Sequence, residues 1–425
     1  MKKVLIITYY FPPAGGAGVQ RWLKFVKYLP QYGCEPLVLT VDGNYASYPQ
    51  KDASLAADIP SGLKVVRTRT REILSTYKKL SPQKQIPYGG FANEQDPDLF
   101  QKIARFIRGN FFLPDPRKAW NRFALPEAVS LIENENIGTV ITTGPPHSTH
   151  LMGLKLKKRY PSLKWIADLR DPWTDIYYND VLYQGRLAKR MNLAMERKVL
   201  NSADVLVTVS EGVKRNFCSH APVEHKFHVI PNGYDAPDFA DVPVDAGRGN
   251  PRMVISYIGT LSPLYDSSTF TNALKLLPAE TASKILIRII GSVNADVAAS
   301  FSETSVQVEY LPYQPHGQAI RYMVSSDLLL LLLPVKNSDG VLTGKFFEYL
   351  ASRRPILLIQ PEESEAGKMI LRLEAGAVFD SGNADGLAKY LAACTENRPS
   401  VAVDDLDRFS REHLAGEMAK LIQGI

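Results

Sequence analysis

The stretch from Ser326 to Gln360, SDLLLLLLPVKNSDGVLTGKFFEYLASRRPILLIQ, decides the fold class of this chain. Its leucine run, 328–333, is short and unbroken, which is typical of a parallel strand buried on both faces. Residues 345–351 have helical periodicity, and 356–359 form a second apolar run. The segment therefore predicts a strand, a glycine-containing loop, a helix and another strand, which is the repeating unit of an open α/β sheet.

The loop inside this unit is a candidate anion site. A loop that leaves the carboxyl end of a parallel strand and enters a helix presents backbone N–H groups and the positive end of the helix dipole. Glu348 lies one turn into the predicted helix, where its carboxylate reaches hydroxyl groups beyond the anion. The arrangement suits a nucleoside diphosphate with a sugar on either side. An ordinary βαβ unit is the alternative, because the loop is neither a GxxxxGK[ST] P-loop nor a GxGxxG motif.

Length and composition indicate a two-domain globular protein. The chain has 425 residues, of which 45% are hydrophobic and 22% charged, and both fractions are ordinary for a soluble protein. A net charge of +6 is too small to indicate nucleic-acid binding, but it is compatible with an acidic substrate or an anionic membrane face. The three cysteines are far apart and form no Cys/His cluster, so we expect a reducing compartment and no structural zinc.

The first thirteen residues, MKKVLIITYYFPP, predict a strand rather than a signal peptide, because the apolar stretch is short and runs into prolines. No stretch approaches the length of a transmembrane helix. We therefore expect a cytoplasmic protein, and peripheral contact with the inner face of the membrane remains an open alternative.

Residues 98–112, DLFQKIARFIRGNFF, predict an amphipathic helix. Leu99, Ile103, Phe106 and Ile107 fall on one face, and basic side chains fall on another. Packing of the apolar face against the domain, with the basic face in water, is the favoured interpretation. Contact with an anionic membrane surface is the second.

Apolar strand patterns alternate with helical patterns along most of the chain, and a segment rich in Pro, Gly and Asp at 235–251 interrupts them. We predict an N-terminal domain at 1–234, a linker at 235–251, a C-terminal domain at 252–403 and a final helix at 404–425. The alternation predicts two doubly wound, Rossmann-like α/β domains that face a cleft. The final helix would carry Phe409, Leu414, Met418 and Leu421 on one face.

Two further clusters follow predicted strands of the first domain. The loop at 15–18 contains Gly16-x-Gly18, but Arg21 stands where a third glycine would complete a dinucleotide motif, so NAD(P) binding is disfavoured. The glycines still permit a ligand to approach the backbone. Residues 143–150 and 168–174 follow two adjacent predicted strands, and ligands of open α/β sheets collect at such strand ends.

In their order along the chain, these segments resemble the family-4 glycosyltransferases, which have the GT-B fold. The segments that carry the resemblance are the glycine loop at 15–18, His147 with His150, DLRDPW at 168–173, SAD at 202–204, VS at 209–210, IPNG at 230–233, YIGT at 257–260, and Lys345 with Glu348. The resemblance implies a nucleotide-sugar donor bound mainly by the C-terminal domain, an acceptor bound mainly by the N-terminal domain, and a final helix that crosses back. It also implies retention of anomeric configuration, no cofactor and no divalent metal. Asp96-x-Asp98 and Asp405-x-Asp407 are interpreted as helix caps rather than metal ligands.

The resemblance also implies residue roles. The implied donor-binding residues are Gly16, Gly259, Thr260, Thr343, Gly344, Lys345 and Glu348. Glu348 would accept hydrogen bonds from the ribose, and Lys345 would neutralise charge on the leaving phosphate.

His147 and His150 join Lys345 as catalytic candidates. Either histidine would contact the transferred sugar or the acceptor hydroxyl, with His150 slightly favoured, and a capping or core position is the alternative for each. The acceptor-side candidates are Asp168, Arg170, Asp171 and Trp173. A structural role is the alternative for Asp168 and Asp171.

The chain departs from the family pattern in two places. Gly340 stands where a first acidic residue is common, so sugar recognition would differ from the common pattern, and substitution by Asp339 is left open. Residues 260–265 lack the usual Arg and Lys, so diphosphate binding would rest on Lys345, Arg288 or backbone groups.

The sequence thus predicts transfer of a sugar from a UDP- or GDP-linked donor to a glycan or lipid-linked acceptor, as in surface polysaccharide or glycolipid synthesis. An inactive nucleotide-binding scaffold and a nucleotide-sugar epimerase are the alternatives.

Overall fold

A computed structural model describes residues 1–71, 99–240, 242, 250–334 and 340–424. The Asp96-x-Asp98 segment, Asp339, most of 241–249 and Ile425 lie outside the described residues. The described chain divides into two compact units. The first holds 1–71, 99–232 and 411–424, and the second holds described residues of 233–410. The boundary falls between Asn232 and Gly233, two residues before the predicted end of the N-terminal domain.

The first unit is built on a parallel sheet. Its described strands are β1 (Lys2–Ile7), β2 (Cys34–Val41), β3 (Lys64–Thr68), β4 (Thr139–Gly144), β5 (Lys164–Leu169), β6 (Val205–Thr208) and β7 (Phe227–Val229). They lie in the order β3-β2-β1-β4-β5-β6-β7. The sequence of β1, KKVLII, ends in four fully buried residues, because a central parallel strand is covered on both faces.

Helices connect these strands. They are α1 (Ala17–Tyr28), α2 (Leu99–Phe111), α3 (Asn121–Asn134), α4 (His150–Arg159), α5 (Arg186–Ser202) and α6 (Glu211–His220). Ser210 caps the N-terminus of α6, and its side chain accepts a hydrogen bond from the Val213 N–H. The sequence pattern indicates this cap. The favoured prediction for α2 is wrong: its buried residues are Arg105 and Gly109, and its apolar face is exposed.

The second unit repeats the architecture. Its described strands are β8 (Met253–Ile258), β9 (Ile285–Ile290), β10 (Gln307–Leu311), β11 (Leu328–Leu332), β12 (Ile356–Ile359) and β13 (Gly376–Phe379). Their order is β10-β9-β8-β11-β12-β13, and all pairs are parallel. The leucine run is β11, fully buried between β8 and β12. The prediction of two doubly wound, parallel α/β units is confirmed.

The helices of the second unit are α7 (Pro237–Ala240), α8 (Ser268–Lys275), α9 (Ala279–Ser283), α10 (Ala295–Ser302), α11 (His316–Val324), α12 (Gly344–Ala351), α13 (Glu365–Arg372) and α14 (Ala384–Glu396). The short α7 lies within the predicted linker. In both sheets the strand order reverses direction once, between β1 and β4 and between β8 and β11. Ligands of doubly wound sheets bind at the carboxyl ends of the strands on either side of such a reversal.

The prediction of one continuous helix at 404–425 is wrong. A 3-10 turn covers Leu406–Phe409, Ser410 has extended backbone, and α15 (Arg411–Gly424) follows. Phe409 packs in a core of the second unit, whereas Leu414 and Met418 pack in the core of the first. The side chains on either side of the break thus belong to different cores. None of the helices described is both long and apolar enough to span a membrane.

Candidate functional site

In the second unit, the predicted donor residues other than Arg288 lie at the reversal between β8 and β11. Thr343 precedes α12 with extended backbone, and its side chain caps no N–H group. Its hydroxyl oxygen is buried and has no hydrogen-bond partner. The first N–H groups of a helix have no partner within the helix, so this end of α12 offers donors and a positive dipole to an anion.

Lys345, in the first turn of α12, closes the same corner. Its ammonium donates a hydrogen bond to the Tyr257 hydroxyl (3.1 Å) and lies 4.2 Å from the centroid of that ring. The Tyr257 hydroxyl donates in turn to the Thr260 carbonyl (2.8 Å). A Cβ on Gly259 would lie 3.1 Å from the ammonium, and the φ of Gly259 is +134°. Only glycine fits comfortably there, so Lys345 has close access to the backbone that follows β8.

Burial lowers the pKa of Lys345 to about 7, and the nearby Glu348 carboxylate opposes that shift. Glu348 follows one turn later on α12 and is half-buried. Next to it, the Tyr349 hydroxyl accepts a hydrogen bond from the Ile258 N–H (3.0 Å), which fixes α12 against the end of β8. Tyr257 stood out in the sequence only as part of the YIGT segment at 257–260, and Tyr349 looked like an ordinary apolar position of a helix.

Arg288 is placed differently. It pairs in register with Ser256 on β8, three residues before Gly259, which is about 10 Å along a strand. Its guanidinium donates to the Glu309 carboxylate (2.7 Å) and lies 5.3 Å from the centroid of the Tyr322 ring. These contacts give the predicted diphosphate role of Arg288 no support.

In the first unit, Asp168 at the end of β5 is fully buried. Its carboxylate accepts hydrogen bonds from Arg21 (3.1 and 3.3 Å), the Trp22 indole (2.7 Å) and the Thr143 hydroxyl (2.9 Å). A carboxylate with this many internal donors holds α1 against β4 and β5. The geometry therefore favours the structural alternative for Asp168. In the sequence, Arg21 stood out only because it occupies the position of the third glycine of a dinucleotide motif.

Arg170 joins the two loops at the reversal between β1 and β4. It donates to the carbonyl oxygens of Gly18 (2.6 Å), Gly144 (3.1 Å) and Pro145 (3.2 Å). Gly16, the N-cap of α1, has a φ of +92°, which favours glycine. Arg170 and Gly16 thus shape the backbone at this strand end.

His147 and Trp173 form a stacked pair at the same end of the sheet. Their ring centroids are 4.8 Å apart with an interplanar angle of 9°, and the Trp173 indole donates to Asn192 (2.8 Å). Burial lowers the pKa of His147 to about 3, so the ring is neutral at physiological pH. Asp171, two residues before Trp173 in the chain, is half-buried, and burial raises the pKa of its carboxyl.

His150 lies deeper, with no exposed surface. Its Nδ1 contacts the Thr142 hydroxyl (2.8 Å), which also accepts a hydrogen bond from the Trp165 indole (2.8 Å). Its Nε2 lies 2.6 Å from the point where a Cβ on Gly144 would stand. Burial holds the pKa of His150 well below its usual range. Of the two histidines, His150 has the environment of a core residue, and His147 lies nearer the surface.

An acid that the sequence did not single out supports the loop after β5. Glu196 of α5 is fully buried and accepts hydrogen bonds from the Thr174 N–H (2.9 Å) and hydroxyl (2.8 Å). Its other oxygen contacts His220 of α6, whose pKa is raised by that hydrogen bond. The sequence does not reveal that Glu196 is buried, because the helix around it contains several other charged residues.

Across the described ranges, no group of three or more His, Cys, Asp or Glu side chains is placed to hold a metal ion.

The architecture matches solved glycosyltransferase structures over the whole chain. Anabaena HepE in complex with UDP and glucose is 14% identical, with a TM-score of 0.64 and 100% of both chains covered. Sucrose-phosphate synthase from Thermosynechococcus elongatus is 13% identical, with a TM-score of 0.65 and 100% of this chain and 99% of that chain covered. The lipopolysaccharide outer core galactosyltransferase WaaB is 12% identical, with a TM-score of 0.59 and full coverage of both chains. The fold is that of the GT-B glycosyltransferases.

Residues 88–237 match the model of the family described as Glycosyltransferase Family 4. This range contains both histidines and the DLRDPW segment, and over these residues the match confirms the resemblance seen in the sequence. No curated protein sequence matches this chain significantly.

Proposed function

We propose that this protein is a glycosyltransferase that moves a sugar from a nucleoside diphosphate sugar to a hydroxyl of a glycan or lipid-linked acceptor. The observation that carries the proposal is the corner formed by Lys345, Gly259 and the start of α12. It combines one cation, a helix N-terminus and a glycine without a side chain, which together suit a diphosphate.

The likeness to HepE, whose structures hold UDP and UDP-glucose, supports a UDP-linked donor, with GDP as the other candidate. The likeness to WaaB and to WaaG, a glycosyltransferase involved in lipopolysaccharide biosynthesis, supports a role in surface polysaccharide or glycolipid synthesis. A lipid-linked acceptor would bring the protein to a membrane, and the segment at 98–112 is the proposed place of peripheral contact.

In the proposed reaction, the bond between the anomeric carbon and the donor phosphate oxygen breaks, a bond to the acceptor oxygen forms, and the proton of the acceptor hydroxyl passes to the departing phosphate oxygen. The diphosphate leaves with the bonding electrons, so negative charge grows on its oxygen. Protonated Lys345 and the N–H groups at the start of α12 would stabilise that charge. Glu348 would accept hydrogen bonds from the ribose hydroxyls, and retention without a divalent metal is part of the proposal.

On the acceptor side, we propose His147 and Asp171 as contact residues. Both lie at the carboxyl end of the first sheet, and neither has the full internal bonding of Asp168. Trp173, stacked on His147, would position that ring.

The test is a thermal-shift titration of the full chain with UDP, GDP, CDP and their sugar conjugates. A ligand at a hundredfold its Kd stabilises the native state by about 2.7 kcal/mol. We expect one nucleotide class to raise the Tm, and the variants Lys345→Met and Glu348→Gln to lose that rise. Lys389→Met, which removes an exposed lysine from α14, is the matched control and should retain it.

A second measurement separates transfer from binding. Release of nucleoside diphosphate that depends on an added lipid-linked or glycan acceptor supports the transferase. Binding without release in any acceptor mixture would favour the inactive scaffold, and acceptor-independent inversion of a sugar carbon would favour the epimerase. A chain that binds no nucleotide contradicts the proposal.

A further inference from the structure

Helix α2 attaches to the first unit by its small and polar side. Gly109 is buried against Leu182, where an added Cβ would lie 2.2 Å from the Leu182 carbonyl oxygen. The Asn110 amide donates to the Tyr183 carbonyl (3.1 Å) and accepts from the Gly185 N–H (2.8 Å). These contacts fix which face of α2 turns outward.

The outward face is apolar. Six large hydrophobic side chains of this one helix are exposed, namely Leu99, Phe100, Ile103, Phe106, Ile107 and Phe111. Leu99 and Phe111, near the two ends, are 74% and 73% exposed. A surface helix of a globular domain normally buries such a stripe, so this exposure calls for a partner.

The start of α5 extends the same surface. α5 contacts α2, and Leu187 and Met191 on its first turns are exposed, as is Tyr183 just before it. Nine of the sixteen exposed large hydrophobic side chains among the described residues lie on α2 and on 183–191. We call these two segments together the α2–α5 surface.

The charge of the α2–α5 surface has one sign. Lys102, Arg186, Lys189 and Arg190 are exposed and Arg108 is half-buried. The segments 99–112 and 183–195 contain no Asp or Glu. A second copy of this chain would set these cations against the same cations, which is unfavourable. The complementary partner is apolar and negatively charged.

We propose that the α2–α5 surface docks on an anionic lipid bilayer, with its aromatic and aliphatic side chains at the boundary between headgroups and acyl chains. Its lysines and arginines bind the lipid phosphates, as cations flanking an interfacial amphipathic helix do. Only the link to a lipid-linked acceptor rests on the proposed function. Lipid binding itself requires no transferase activity.

The test is co-sedimentation of the full chain with vesicles. One set is phosphatidylcholine alone, and the other is phosphatidylcholine mixed with phosphatidylglycerol. We expect strong binding to the anionic vesicles and weak binding to the neutral ones. The double variant F106S/I107S should lower the partition coefficient at least about tenfold, because both side chains would leave the acyl boundary. The triple variant R186Q/K189Q/R190Q should bind the anionic vesicles more weakly, and its binding should depend less on salt concentration.

The matched control is L276S/Y310S, which removes two exposed apolar side chains of the second unit and should bind vesicles like the unmodified chain. Each variant is also titrated with the nucleotide found by thermal shift. Retained nucleotide binding with lost vesicle binding supports the proposal and leaves the proposed function intact.

Absence of vesicle binding, or equal binding by F106S/I107S, overturns the proposal. A dimer that becomes a monomer in F106S/I107S, without vesicle binding in either form, overturns it in favour of self-association. Loss of nucleotide binding with intact vesicle binding contradicts the proposed function and leaves this inference standing.

Discussion

Lys345 is half-charged near neutral pH, because burial lowers its pKa to about 7. An ordinary lysine carries its full charge there. A bound diphosphate favours the ammonium form and therefore raises this pKa. Binding of the anion and uptake of a proton are thus coupled at this residue.

We predict that a nucleotide sugar binds with proton uptake at pH 8 and that its affinity falls as the pH rises above 7. Below pH 7 the amine of the free protein already holds the proton, so the affinity levels off. Calorimetry in two buffers of different ionisation enthalpy measures the uptake. The Lys345→Arg variant keeps its charge throughout this range and should show neither effect. Equal heats in both buffers for the unmodified chain would contradict the coupling.

Among the individual site residues, some positions can be predicted from the sequence and others cannot. The position of Lys345 at a strand–loop–helix corner follows from a local pattern of apolar residues and glycine. The neutral state of His147 and the enclosure of His150 do not, because they depend on Trp173 and Trp165, which follow the histidines by 15 to 26 residues and come from other elements. Asp168 is similar: its four donors include two side chains from α1.

At the scale of elements, α4 packs on the sheet with Gly153 directly against the Trp165 ring. A Cβ on Gly153 would lie 2.2 to 2.4 Å from three atoms of the Trp165 ring. That ring is fully buried and its indole N–H is bonded to Thr142, so it cannot turn aside at low cost.

We predict that Gly153→Ala lowers the free energy of unfolding by about 1–3 kcal/mol, the usual cost of overpacking a core. Gly317→Ala is the matched control, since Gly317 is an exposed position in α11 with no atom within 4 Å of its added Cβ. It should be neutral or stabilising by about 0.5–1 kcal/mol through helix propensity. Urea titration followed by circular dichroism measures both. A Gly153→Ala protein as stable as the control would mean that α4 moves freely over Trp165.

The elements themselves were largely predictable, because apolar runs of four to six residues mark the strands and helical spacing follows them. The outward face of α2 was not. Its periodicity identifies a helix and an apolar stripe, but the direction of that stripe depends on Gly109 fitting against Leu182, a contact across 73 residues of sequence.

At the scale of the molecule, the first unit is discontinuous in sequence, since α15 returns to it after the whole of the second unit. The side chains of Leu414, Met418 and Ile422 lie in its core, almost fully buried. All four tryptophans of the chain also belong to this unit. Tryptophan fluorescence therefore reports on the first unit alone.

We predict that Met418→Ala lowers the unfolding midpoint seen by tryptophan fluorescence, at a cost of about 2–5 kcal/mol. The nucleotide-dependent stabilisation assigned to the second unit should remain. Met369→Ala on α13, a partly buried side chain packed against a core of the second unit, should leave the fluorescence midpoint unchanged. Equal shifts from both substitutions would show that the two units unfold as one.

The late position of α15 also has a consequence for synthesis. The ribosome completes the described strands of the first sheet, then makes the 178 residues from 233 to 410, and only then makes the helix that covers part of the first core. At about 5–20 residues per second, the docking groove for α15 stays open for roughly nine to thirty-six seconds. The second unit, made later but from continuous sequence, can finish folding first. During that interval the nascent first unit presents an apolar groove to chaperones, and docking of α15 closes it.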